Sequence, residues 1–117
     1  MLKYHDTGKN KIAELDLNFL ITEPQDVLDL MGDAVSENCN RMIMRERNLN
    51  PDFFRLQTGL AGEILQKFSN YSFKLAVIGD FDKYKSKNLQ DFMRESNKGN
   101  RIFFVSNLEE ALTKLMI

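Results

Sequence analysis

A chain of 117 residues, 43% hydrophobic and 28% charged, has the length of one domain and enough apolar mass for a core without staples. Sixteen basic against seventeen acidic residues leave no net field to gather nucleic acid or an anionic membrane. Cys39 stands alone, the first residues lack an apolar signal stretch and the apolar runs are strand-length, so the expectation is a soluble, cytoplasmic single domain over residues 1–117.

Leu2 to His5 and Lys11 to Asp16 read as two short strands. Asp6-Thr7-Gly8-Lys9-Asn10 between them tolerates left-handed backbone, which predicts a hairpin. Thr22 with Gln25 has the form of a capping box, and Pro24 suits a first helical turn. Val27, Leu28, Met31, Ala34, Val35 and Cys39 then recur at three- and four-residue steps, giving one buried stripe. Arg41 to Glu46, with Met42-Ile43-Met44 at its centre, reads as a strand, and Asn50-Pro51 as a turn or short helical start.

A helix over Thr58 to Asn70 follows from Leu60, Ile64, Leu65 and Phe68. Lys74 to Gly79 is the clearest strand, apolar on both faces as a central parallel strand requires. Ser86 caps a third helix through Asn97, with Leu89, Phe92 and Met93 inward. Arg101 to Val105 is a further buried strand. Ser106 with Glu109, or Asn107 with Glu110, opens the last helix, whose apolar positions are Leu108, Ala111, Leu112 and Leu115. The predicted order is β-β-α-β-α-β-α-β-α: an α/β fold with a mixed, mostly parallel sheet, Leu75 to Ile78 central and helices packed on it.

That order resembles STAS domains, the sulfate-transporter and anti-sigma-factor-antagonist family. Thr58-Gly59-Leu60 is similar to the Ser-Gly-Leu opening their second helix, and Ser106 to Leu112 to their closing helix. The resemblance implies a regulatory module that meets a protein partner. Phospho-switched members carry an acidic residue and serine before the glycine; Leu56 and Gln57 precede Thr58 here, which argues against such a switch. A closer likeness rests on Phe53-Phe54, the run Thr58 to Phe68, Asn70-Tyr71, Gly79-Asp80-Phe81, Tyr84, Ser86-Lys87, Asp91-Phe92, Glu95-Ser96-Asn97, Gly99 and Phe103-Phe104-Val105. These resemble an uncharacterised bacterial family, the domain-of-unknown-function family 4180, which implies no mechanism.

Chemistry-bearing residues gather at one place. Asp80, Tyr84, Ser86 and Lys87 leave the carboxyl end of the clearest strand, where open α/β sheets place ligands. If the strands are parallel, Arg94 joins them. Thr58 and Gly59 open a helix on the same side, where free N–H groups favour an anion; they equally suit an ordinary N-cap with glycines for close packing. Lys87 and Asp91 are spaced for an ion pair. One histidine, His5, in an edge strand, and one buried cysteine assemble neither a catalytic triad nor a metal site, and the glycines form no nucleotide-binding fingerprint. The expectations are therefore no catalytic residue, no metal and no cofactor. The leading reading is a non-catalytic regulatory or interaction module with an unidentified protein partner, and no nucleic acid or membrane partner. The alternative is a domain, even a weak enzyme, that binds a small anionic ligand. A pocket lined by Asp80, Tyr84 and Arg94 favours the alternative; a flat apolar patch around Phe53, Phe54 and Leu60 favours the first.

Overall fold

In the computed structural model, which describes all 117 residues, β1 (Leu2–Asp6) and β2 (Lys11–Leu15) form the opening hairpin, with Leu2 facing Leu15 and Asp6 facing Lys11. Its turn depends on Gly8 at φ +89°, whose N–H donates to Asp6 Oδ1. The chain continues through α1 (Pro24–Ser36), β3 (Arg41–Arg45), α2 (Leu60–Asn70), β4 (Lys74–Ile78), α3 (Lys87–Lys98), β5 (Ile102–Val105) and α4 (Leu108–Leu115). The sheet order is β1-β2-β3-β4-β5; β1 is antiparallel to β2 and every later pair is parallel. No helix is long and apolar enough to cross a membrane.

Strand alternation divides the core into two layers. Ala13, Leu15, Met42, Met44, Leu75, Val77 and Phe104 point into the larger layer, which α1, α2 and α3 cover. Ile12, Ile43, Ala76, Phe103 and Val105 point the other way, against Ala111 and Leu115 of α4. Leu75, Ala76 and Val77 are thus buried on both faces. β4 lies inside the sheet, yet the middle strand is β3, whose Met42-Ile43-Met44 is wholly buried.

Local signals place α1 with two corrections. The carboxylate that ties down the start of α1 belongs to Asp26: it accepts from Thr22 N–H and Oγ1 and from Glu23 N–H. Glu23 is the N-cap, so the third helical position is Asp26, and Gln25 instead donates to Asp29. The inward stripe is Val27, Leu30, Met31 and Ala34. Val35 lies about 100° around the helix from Ala34 and is 58% exposed.

Between β3 and α2 the chain makes three 3₁₀ turns, Glu46–Asn48, Pro51–Phe54 and Leu56–Thr58. Asn50 starts the second by accepting from Asp52 N–H. Asn48 is the one buried polar side chain. Its Oδ1 accepts from Arg45 N–H at 2.7 Å, and its Nδ2 donates to the carbonyls of Asp16 and Phe19 at 2.9 and 2.8 Å. Those bonds fasten the loop after β2 to the end of β3. The third turn ends in Gly59 at φ +80°, so α2 begins at Leu60, not at Thr58. Gly59→Ala forces a left-handed alanine and lowers stability by about 1 kcal/mol. Gly59→Asn recovers part of it in a thermal melt, because asparagine tolerates that region.

Candidate functional site

Parallel strands deliver their carboxyl ends to one side: Glu46 follows β3, Gly79 to Tyr84 follow β4, and Ser106 follows β5. α3 closes the flank. Between them lies a cleft of about 480 Å³. Phe81, Met93, Phe104 and Val105 supply its apolar surface, and Asp80, Asp82, Gln90, Arg94, Asn97 and Ser106 its polar one.

The loop that forms one wall is held by its own bonds. Gln90 Nε2 donates to the carbonyls of Phe81 and Tyr84, at 2.7 and 2.9 Å. Glu46 reaches across from the end of β3, accepting from the Tyr84 hydroxyl and pairing with Lys83 Nζ at 2.7 Å. Burial pulls the Glu46 carboxyl up, but hydrogen bonds from Lys83 and Tyr84, with the Lys83 charge, outweigh it and hold it below its ordinary value. Burial, then the bond to Glu46 and its charge, push the Tyr84 phenol well up. The Tyr84 ring stacks on Phe54 at 5.0 Å, and Phe81 meets Phe104 edge-on at 5.5 Å.

Arg94 Nη1 lies 2.7 Å from Asp91 Oδ1, while Lys87 Nζ takes the other oxygen at 3.0 Å. The bonds from Arg94 and then Lys87 hold the Asp91 carboxyl below its usual range. The other Arg94 N–H groups have no protein acceptor, and Asp80 and Asp82 form no ion pair, so charge of both signs borders the cleft. Asn97 is turned onto β5: its Oδ1 accepts from Phe104 N–H at 2.7 Å and its Nδ2 donates to the Phe104 carbonyl at 3.1 Å.

Of the residues singled out in sequence, the structure brings Asp80 and Arg94 together at the cleft. Tyr84 braces the loop through Glu46 and Phe54 and is not among the lining residues. Ser86 caps α3, accepting from Leu89 N–H at 3.2 Å. Lys87, with a side chain 86% exposed, reaches only Asp91. Thr58 and Gly59 lie at the start of α2, apart from the cleft, and the Thr58 hydroxyl is occupied by the carbonyls of Asp52 and Arg55 and the N–H of Leu60. The flat apolar patch does not form: Phe53 and Phe54 are only 1% and 6% exposed, packed edge to face at 5.0 Å.

Glu46, Gln90 and Asn97 were not legible as site residues. A carboxylate ending an apolar strand is the one available signal for Glu46; its partners are 38 residues away for Tyr84. On the face that carries α4, a second charged group forms: Glu14 accepts from His5 Nε2 at 2.7 Å and pairs with Arg45 at 2.8 Å. Arg45 Nη1 makes no aligned hydrogen bond there. Burial raises the Glu14 carboxyl, but the hydrogen bond from His5 and the adjacent Arg45 guanidinium outweigh it and leave it lowered.

Glu14 and Glu46 give the acid limb of stability its sign. Both folded values lie below the ordinary 4.5, so the unfolded chain binds more protons in that window. Their contribution is present above about pH 4.5 and lost as pH falls through the lowered folded values. Melting temperature therefore drops below pH 4.5, and Glu46→Gln makes that drop shallower. An unchanged slope in the variant contradicts the assignment.

Among known families, the model described as Domain of unknown function (DUF4180) matches residues 7–115. No curated protein and no solved structure matches the chain.

Proposed function

Because the chain belongs to the DUF4180 family, from which no activity is inherited, we propose a function from its own cleft: a small regulatory domain that binds a small polar molecule at the carboxyl edge of β4 and β5. The observation that carries this reading is the convergence of Arg94, Asp80 and Asp82 on an apolar floor of Phe81, Met93 and Phe104. An anionic group of the ligand meets the free N–H groups of Arg94, a cationic or donor-rich group meets Asp80 and Asp82, and the ligand body rests on the aromatic floor. Binding is favoured over catalysis because Gln90 and Asn97 already hold structure. The hairpin followed by a parallel sheet supports a STAS-like relationship, and with it a bacterial, cytoplasmic, regulatory setting.

A screen of anionic and zwitterionic metabolites by thermal shift and amide chemical shifts tests the reading. A ligand raises the melting temperature, moves the amides of Gly79, Asp82 and Ser106, and is lost in Arg94→Ala and Asp80→Ala. Asp80 is exposed and unpaired, so Asp80→Ala alters stability by no more than about 0.5 kcal/mol. Ligands that bind both variants as well as the parent sink the proposal.

A further inference from the structure

The cleft at the carboxyl edge is unevenly supplied with partners. Three of its lining residues are ionisable: Asp80, Asp82 and Arg94. Arg94 already has an answering charge in Asp91, 2.7 Å away. Asp80 and Asp82 have none: both are exposed, and no group of the protein donates to either carboxylate or pairs with it. Asp80 stands at the N-cap position of the short turn Phe81–Lys83, where an aspartate ordinarily spends its oxygen on a backbone N–H, yet its side chain makes no such bond. The cations beside the cleft are committed elsewhere, Lys83 to Glu46 at 2.7 Å and Lys87 to Asp91 at 3.0 Å.

Hydrogen-bonding capacity leans the same way. Gln90 gives its Nε2 to the carbonyls of Phe81 and Tyr84, which leaves its Oε1 as an acceptor. The unfilled polar groups around the cleft are thus mostly acceptors: two carboxylates and an amide oxygen, against the Ser106 hydroxyl and the remaining N–H groups of Arg94. The floor adds to the bias. Phe81 and Phe104 both line the cleft, with their ring planes at 89°, and aromatic rings attract a cation over their faces. An anion brought to Arg94 competes with Asp91 and approaches two further carboxylates. A cation meets Asp80 and Asp82 with no competitor.

We infer that the group anchoring a ligand in this cleft is a cation with several N–H donors, a protonated primary amine or a guanidinium, carried on an apolar body. Its N–H groups are shared between Asp80 and Asp82, and its body rests on Phe81, Met93 and Phe104. The inference rests on the cleft being a ligand site, as proposed above, and adds the charge that the site selects. Arg94 takes an anionic group of the same ligand where one is present; the amine decides which ligands enter. A quaternary ammonium satisfies the rings but offers the carboxylates no donor, so it binds less tightly.

The probes share a phenyl body: phenethylamine, its trimethylammonium derivative, hydrocinnamate and phenethyl alcohol. Each is titrated into the full chain and followed by the amide shifts of Gly79, Asp82 and Ser106. Phenethylamine binds about tenfold or more tightly than hydrocinnamate or the alcohol, and more tightly than its trimethylammonium derivative. The double variant Asp80→Asn/Asp82→Asn keeps the size of both side chains and removes both charges. It brings the amine down to the level of the alcohol, and its thermal melt checks that the fold is intact. Equal or tighter binding of hydrocinnamate or of the trimethylammonium probe overturns the inference, as does undiminished binding of the amine by the double variant. Hydrocinnamate binding that Arg94→Ala abolishes overturns it while keeping the cleft a ligand site. If none of the probes moves these amides, the ligand site and the inference fall together.

Discussion

Asn48→Ala costs about 4 kcal/mol and lowers the melting temperature by roughly 15 °C, the largest effect expected of any single polar substitution in this chain. The side chain sits at 0% exposure and serves three backbone groups: the Arg45 N–H and the carbonyls of Asp16 and Phe19. Truncation strands all three away from water, and each stranded group costs about 1–3 kcal/mol. Asn48→Asp separates this account from simple loss of volume. The aspartate keeps the acceptor for Arg45 but turns a carboxylate toward two carbonyls, so its folded pKa is raised by burial and by those oxygens. Stability in that variant is lost as pH rises through the raised value, so its deficit relative to the parent is smaller at pH 5 than at pH 7. A deficit that does not change with pH means that the two donated bonds carry no weight.

Gly79→Ala comes next, at about 2–3 kcal/mol, read as a melting temperature lower by roughly 10 °C. Its backbone needs no special dihedral; what matters is space. A Cβ there stands 2.9 Å from Glu46 Cβ and 2.8 Å from the tip of the Phe81 ring, inside any tolerable carbon contact. The Glu46 atom is fixed close to its backbone, so displacement travels into the bond network of Lys83 and Tyr84. Adding Phe81→Leu relieves only the ring contact and recovers part of the loss. Full stability in Gly79→Ala alone means that the loop shifts freely, and that the wall of the cleft is softer than its bonds indicate.

The elements were legible where a residue's surroundings follow from its neighbours in sequence. Leu75-Ala76-Val77 is apolar at consecutive positions because helices cover both faces, and that run marks an interior parallel strand without further information. Ser86 and Asn107 announce the starts of α3 and α4, since capping bonds span only three residues. The partners that shape the cleft come from far along the chain. Asn48 reads as an ordinary turn residue, because nothing local says that Asp16 and Phe19 lie above it. Phe53-Phe54, apolar residues in a turn, suggest a surface patch; the packing of that turn on α2 buries them. Asp80 and Arg94 were placed at one face by topology alone, which orders strand ends but does not resolve that Tyr84 turns back toward Glu46 and Lys87 outward toward Asp91.

The amide of Asn97 covers the outer margin of β5 by offering Phe104 the acceptor and donor that a neighbouring strand would provide. At the other margin β1 has no such cover: β2 is its only neighbour. For anyone building on this scaffold, the sheet therefore has a polarity for growth. A sixth strand, a split-reporter fragment or a complementing peptide can be annealed beside β1, whereas the same insert beside β5 must first displace a side chain already making both bonds. Asn97→Ala removes that protection, and the two margins become equally open to strand exchange between copies.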